Sequence, residues 1–362
     1  MVVCVVGTRP NFMKMAPVLR GLEKLNVPHI LVHTGQHYDR NMSKVFFDDL
    51  KIKKPEVFLG VGSGSHAEIT GKILIKFEKT CMKTNPSLVV VAGDVNSTLA
   101  CSITAKKLNI PVAHVESGLR SFDKNMPEEI NRIMIDHISD LLFVSEKSGI
   151  KNLKKEGIKK EKIFFVGNSM IDSVQSFLSK SLGKKPWLKY DLEKFNFILV
   201  TFHRPSNVDN ELSLKAITIM LNKISKSTKI IFPIHPRTLN NLKFFKLCLN
   251  NRVTLVDPLS YIDFLGLMAV SKAVITDSGG VQEETTFLNI PCITYRKNTE
   301  RPITIESGTN FLVGNDTNLA FDTFMKIVEG KIKKKKNRLP KWDGLSGKRI
   351  SEKIKEYILT SE

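Results

Sequence analysis

The chain has 362 residues, a formal net charge of +19 and 42% hydrophobic residues. That length suits two domains rather than one core, and no apolar run is long enough to span a membrane. The five cysteines are odd in number, scattered and never in C-x-x-C spacing, which argues for reduced structural thiols in a cytoplasmic protein and against a zinc site.

The opening "MVVCVVGTRP" lacks a basic n-region and a cleavage-type site, so it reads as a first buried strand rather than a signal peptide. In chain order, further short apolar runs follow: "HILVHTG", "SLVVVAGD", "PVAHVES", "LLFVSE" and "KIFFVGN", then "FILVTFH", "KIIFPIH", "RVTLVDP", "AVITDSG" and "PCITYR". Each is rich in Val, Ile and Phe and bounded by Gly, Pro, Asp or His. Strands this uniformly apolar are covered on both faces, as in a parallel sheet flanked by helices. The intervening segments have helical period, for example Ile150, Leu153 and Ile158 among lysines. The expectation is an α/β chain with two doubly wound, Rossmann-like parallel-sheet domains and a cleft between them. Residues 1–180 form the first, 181–196 a polar linker, 197–344 the second, and 345–362 a helix crossing back to the first.

The basic excess invites a nucleic-acid reading. The lysines, however, are spread over polar helix faces, as in "KNLKKEGIKKEK", and the dense run Lys331 to Arg338 has no interleaved aromatics. Net charge of this kind speaks to solubility and to anionic substrates more than to a site, so no nucleic-acid partner is expected.

In doubly wound sheets, ligands bind beyond the carboxyl ends of the strands. Polar residues cluster at those ends here. "TDSGGVQEE" has the form strand, turn, helix, and its helix end suits a phosphate, with Ser278 as a further donor and Gly279 and Gly280 allowing close approach. An ordinary capped turn would look the same. Arg9, Lys14, His203, Arg204 and Arg301 add cations suited to a diphosphate. Of the two acids on the following helix, Glu284 is assigned to sugar hydroxyls, and Glu283 is open to a surface role. Asp94, Glu116, Glu128 and Glu129 supply carboxylates, each of which alone reads equally well as a helix cap. Carboxylates brought together shift one another's pKa, so one serves as acid while another is a base. No D-x-D pair or histidine cluster demands a metal.

Taken as a set, "GTRPNFMKMAP", "TGQHYD", "GDVNSTLA", "HVESGLRSFD", "MPEEINR", "HISDLLFVSE", "VGNSMID", "HRPSN", "HPRT" and "TDSGGVQEE…TERP" resemble the non-hydrolysing UDP-N-acetylglucosamine 2-epimerases, in the same order from about residue 2 to residue 314. The resemblance implies a GT-B-like fold, a homodimer, and interconversion of UDP-GlcNAc and UDP-ManNAc without an added cofactor or metal, in the service of glycan or polysaccharide synthesis. It implies Asp94, Glu116 and Glu128 as the acid/base set and His203 beside the leaving diphosphate. Arg9, Lys14, Ser278, Gly279, Gly280 and Arg301 then bind the diphosphate, Arg132 the substrate, Glu284 the ribose, and Phe264 lies beside uracil. Gln36 and His37 correspond to a loop through which some members bind a second, activating UDP-GlcNAc. Hydrolysing relatives that release free ManNAc, epimerases of modified UDP-sugars, and GT-B glycosyltransferases are the alternatives.

Overall fold

A computed structural model describes residues 1–36, 52–332 and 339–361. The chain divides into two compact units, residues 1–176 with 339–362, and residues 177–338. The division falls inside a helix, Ser169–Lys184. The expected linker 181–196 therefore holds the end of that helix and a 3-10 turn, Pro186–Tyr190, with Trp187 and Leu192 buried in the second unit's core. Its charged residues lie on the outer face together with the exposed Leu188 and Phe195, while Trp187 and Leu192 point inward.

Among the described residues, the first unit contains a seven-stranded parallel sheet in the order β3-β2-β1-β4-β5-β6-β7. Its strands are β1 (Val2–Val6), β2 (His29–His33), β3 (Val57–Phe58), β4 (Leu88–Ala92), β5 (Val112–Ser117), β6 (Leu141–Val144) and β7 (Ile163–Phe165). The helices between them are α1 (Arg9–Lys24), α2 (His66–Thr84), α3 (Asn96–Lys107), α4 (Pro127–Ile138) and α5 (Lys147–Lys155), and α6 (Ser169–Lys184) leads out of the sheet.

The second unit has six parallel strands in the order β10-β9-β8-β11-β12-β13. They are β8 (Phe197–Thr201), β9 (Lys229–Pro233), β10 (Val253–Val256), β11 (Ala273–Thr276), β12 (Cys292–Thr294) and β13 (Asn310–Leu312). Its helices are α7 (Pro205–Val208), α8 (Glu211–Ser225), α9 (Pro236–Phe244), α10 (Tyr261–Ala269), α11 (Gly279–Leu288), α12 (Pro302–Glu306) and α13 (Thr317–Val328). Every residue of β1, β4, β5, β6 and β11 is buried, which is what helices on both faces of a sheet require.

In each sheet the winding reverses once. The adjacent pair at the reversal is β1 with β4 in the first unit (Val2 opposite Leu88) and β8 with β11 in the second (Thr201 opposite Thr276). A crevice opens at such a point beyond the carboxyl ends of the two strands. The expected phosphate and carboxylate residues therefore fall at the two places where this topology leaves room for a ligand.

The C-terminal helix α14 (Ser346–Ser361) packs on α1 within the first unit. Ile350 and Ile354 are fully buried. Asp172 fixes the start of the helix by accepting from the amides of Ser346 at 3.1 Å and Gly347 at 2.7 Å. Glycine is needed at 21 and 347 because a Cβ there would collide with Ser351 and Pro17 across the helix pair.

Candidate active site

In the first unit, β1 runs into Gly7 and Thr8, and Thr8 caps α1. Asn11 ties this turn to the neighbouring strand end: its Oδ1 accepts from the Thr8 amide at 3.0 Å, and its Nδ2 donates to the Ala92 carbonyl at 2.7 Å. Arg9 opens α1, and its side chain lies outside what is described, as does His37. Lys14 sits one turn further along and is buried. Its Nζ lies 2.5 Å from Glu116 Oε2, so a cation expected on the phosphate side pairs with an acid. Gly93, at φ +70°, keeps space for that ammonium: a Cβ there would stand 3.0 Å from Lys14 Nζ.

Asp94 follows Gly93. Its Oδ2 accepts from Arg132 Nε at 2.9 Å and Nη2 at 2.6 Å, and its carbonyl accepts from Asn131 Nδ2 at 2.8 Å. Both partners come from α4. Glu128 lies four residues before Arg132, hence on the same face of α4, and is half-buried. Its neighbour Glu129 is consumed structurally. It accepts from the amides of Ser121 and Phe122, both at 2.9 Å, and from Arg132 Nη1 at 2.7 Å. Thus Asp94 and Glu116, at adjoining strand ends, each meet a cation, while Glu129 pins the loop before α4.

Glu116 has φ +71°, and the β5–β6 register slips between Val115 and Ser117. A glutamate has no intrinsic reason to adopt a left-handed backbone, and such strain gathers at functional positions. Behind it, the buried Asp136 lies 2.7 Å from His114 Nδ1, accepts from the Gly118 amide at 3.0 Å and pairs with Arg120 Nη1 at 2.7 Å. Burial pushes the Asp136 carboxyl up, but its bonds to His114 and Arg120 outweigh this and hold it below the ordinary range. His114 Nε2 lies 2.8 Å from the Gly93 carbonyl, so one network braces the backbone on both sides of the acids. Gln36 is buried, and its Oε1 accepts from Ser97 Oγ at 2.7 Å.

In the second unit, β8 leads to His203 and Arg204, and β11 to Asp277 and Ser278. Sequence reasoning places Asp277 among the polar strand-end residues but gives it no role, because the groups it holds lie about seventy residues earlier in the chain. It is fully buried and accepts from the amides of His203 at 3.2 Å and Arg204 at 2.9 Å, and from Asn207 Nδ2 at 3.0 Å. The exposed ring of His203 stands with Nδ1 3.1 Å from Asp277 Oδ1. Burial raises the Asp277 carboxyl, yet the His203, Arg204 and Asn207 contacts together hold it low. The buried carboxylate therefore sets the orientation of the imidazole.

Ser278 caps α11 with no side-chain hydrogen bond to the helix, and Gly279 and Gly280 are its first residues. A Cβ on Gly279 would stand 2.6 Å from Glu300 Oε1 and 3.3 Å from Arg301 Nη1, so the glycine also makes room for a buried ion cluster. In that cluster Arg301 Nε lies 2.8 Å from Glu283 Oε2, Arg301 Nη1 lies 2.5 Å from Glu300 Oε1, and Arg296 Nη2 lies 2.8 Å from Glu300 Oε2. The surface role left open for Glu283 is incorrect: Glu283 is 1% exposed, because the helix turns it toward Arg301. Glu284 is also buried and accepts from the Tyr261 hydroxyl at 2.9 Å. Phe264 is half-buried on α10, next to Asp263, which helps line a cavity of about 560 Å³ with Tyr190, Ile234, Leu255, Pro258 and Leu259.

The family model described as UDP-N-acetylglucosamine 2-epimerase matches residues 21–355. The UDP-N-acetylglucosamine 2-epimerase of Methanocaldococcus jannaschii is 45% identical over 96% of this chain and 96% of its own. A crystal structure of the M. jannaschii enzyme in complex with UDP-GlcNAc and UDP has a TM-score of 0.90 at 44% identity, over 98% of this chain and 99% of that one. The UDP-2,3-diacetamido-2,3-dideoxy-D-glucuronate 2-epimerase of Pseudomonas aeruginosa is 41% identical over 86% of this chain and 88% of its own. With two doubly wound parallel-sheet units of the GT-B-like kind, this chain belongs to the UDP-N-acetylglucosamine 2-epimerase family.

Proposed function

We propose that the chain is a cytoplasmic, homodimeric, non-hydrolysing enzyme that interconverts UDP-GlcNAc and UDP-ManNAc for glycan or polysaccharide synthesis. One observation carries this reading beyond a nucleotide-binding fold. Asp94 and Glu116 stand at adjoining strand ends, each paired to a buried cation, with Glu128 on the helix face that holds Asp94. A glycosyl transferase with the same nucleotide loop needs an acceptor site and has no use for this set.

The reaction begins with anti-elimination. A carboxylate of the Asp94, Glu116 and Glu128 set removes the C2 proton, the C1–O bond breaks, and UDP leaves with the electron pair, giving 2-acetamidoglucal. Another acid of the set returns a proton to the opposite face of C2, and UDP adds back at C1. His203, oriented by Asp277, stabilises the departing diphosphate together with Arg9, Lys14, Ser278 and the amides at Gly279 and Gly280. Arg301, locked between Glu283 and Glu300, shapes the turn from behind. Arg132 positions Asp94 against the substrate. Glu284 exchanges its tyrosine partner for ribose hydroxyls, and the base enters the cavity beside Phe264. Gln36, with His37, forms part of a second nucleotide-sugar contact.

Incubation with UDP-GlcNAc in deuterated water, followed by proton NMR, tests the reading. UDP-ManNAc and deuterium at C2 are expected; the absence of both sinks it. Free ManNAc with an equal amount of UDP would assign the hydrolysing reaction instead. The Pseudomonas relative favours a second reading, a modified sugar. A higher kcat/KM for a UDP-2,3-diacetamido uronate than for UDP-GlcNAc would establish that substrate.

A further inference from the structure

We propose that Arg296 is a direct ligand of the nucleotide diphosphate at the N-terminal end of α11, a role that rests on the UDP-sugar reading above. Arg296 is 4% exposed. Its Nη2 is taken by Glu300 Oε2 at 2.8 Å, but its buried Nε and Nη1 meet no hydrogen-bond acceptor among the described residues. Burying guanidinium donors without acceptors is costly, and native proteins keep such groups where a ligand or water completes them. Nη1 lies 3.6 Å from where a Cβ on Gly279 would stand, so the unused donors adjoin the first turn of α11. That helix is ten residues long, and no side chain caps it.

Arg301 makes the contrast. Its guanidinium is engaged by Glu283 and Glu300 at 2.8 and 2.5 Å, whereas Arg296 shares one carboxylate and retains two donors. A phosphate oxygen at the helix end, already drawn by the amides and the helix dipole, supplies the acceptor those donors lack. The planar fork of arginine suits two oxygens of a diphosphate better than a hydroxyl. Glu300 then orients Arg296, and Gly279 keeps the turn close enough for both.

The test compares UDP with uridine by titration calorimetry on the intact protein, wild type and Arg296→Gln. Glutamine still donates to Glu300 but removes the charge and the fork. UDP affinity is expected to fall by roughly 10- to 100-fold, as loss of a charge-assisted contact does, with uridine affinity unchanged. Equal UDP affinity in a folded Arg296→Gln protein overturns the role of Arg296 and leaves the nucleotide reading intact. A wild-type protein that binds neither compound overturns both. Should the variant not fold, a crystal structure of the wild-type protein with UDP decides: Nε or Nη1 within about 3.2 Å of a phosphate oxygen supports the assignment, and a longer separation refutes it.

Discussion

Replacing Arg301 by Met tests whether this arginine holds the α11 turn together or serves only the ligand. Its guanidinium joins two carboxylates, at 2.8 Å to Glu283 and 2.5 Å to Glu300, and none of the three side chains is more than 5% exposed. Methionine fills similar volume but removes the cation that Glu283 faces and one of the two that Glu300 faces. Breaking a buried pair from one side costs about 3–5 kcal/mol, since the remaining charge stays desolvated. For a unit the size of residues 177–338, each kcal/mol lowers Tm by about 2–4 °C. Scanning calorimetry near neutral pH should therefore show a drop of roughly 6–20 °C. Adding Glu283→Gln removes the stranded charge, so the double variant should regain part of the loss, with a coupling of about 0.5–3 kcal/mol. Salt should change the result little, because pairs this buried are weakly screened. A drop below about 3 °C, or a double variant no more stable than the single, would falsify the structural role.

Asp94→Asn should lower turnover by about 10²–10⁴-fold, the range for a positioned acid or base, with UDP affinity retained; unchanged turnover removes Asp94 from the acid/base set. In the native protein, Cys248 should be the one thiol that reacts with an aromatic disulfide, because it is exposed while the other four are buried. Burial pushes Cys81 and Cys292 up to about 11, so at neutral pH they hold almost no thiolate, and all five should react only after denaturation. Stability should also fall in mild acid through His33. Burial pushes it down to about 4, it lies between the rings of Phe12 and Phe58, and its Nδ1 accepts from the Gly35 amide at 2.8 Å. The sign follows from its lowered value: the stabilisation is complete above the ordinary histidine value of 6.5 and is lost as pH falls toward about 4. Its size is about 3 kcal/mol, and urea unfolding of His33→Gln should show a flatter pH dependence across that window.

Most of the fold can be read from the chain because a parallel sheet imposes a strong pattern. Strands covered on both faces must be apolar throughout, so the polar residues at their ends stand out, as Gly93-Asp94, His203-Arg204 and Asp277-Ser278 do. The edge strands β3 and β13 escape because they are two and three residues long and carry little pattern. The boundary between units is hidden in the middle of a regular helix. The pairing of charges is not legible either, since it depends on helix phase and on partners far along the chain. Glu128 and Glu129 look equivalent in "MPEEINR", yet a rotation of about 100° turns one toward the Ser121 loop and leaves the other beside the face that holds Asp94. Lys14 and Glu116 are separated by about a hundred residues and meet only because β1, β4 and β5 lie side by side.

The same phase argument explains how α11 carries two glutamates near an end suited to anions. Glu283 turns toward Arg301, and Glu284 toward the Tyr261 hydroxyl, so neither carboxylate is left to face the N-terminal turn. Within the cluster behind Gly279, Arg296 and Arg301 balance Glu283 and Glu300 in formal charge. What distinguishes the turn is therefore direction rather than net charge: the carboxylates are directed into the arginines, while the helix amides and the two unused donors of Arg296 remain for a ligand. An anion can then be held firmly beside acidic side chains without an excess of buried positive charge when it departs. In the elimination and re-addition proposed above, UDP must detach from the sugar and be retained until it adds back, and that balance would allow the nucleotide to stay bound through its most highly charged state and still dissociate at the end of the cycle.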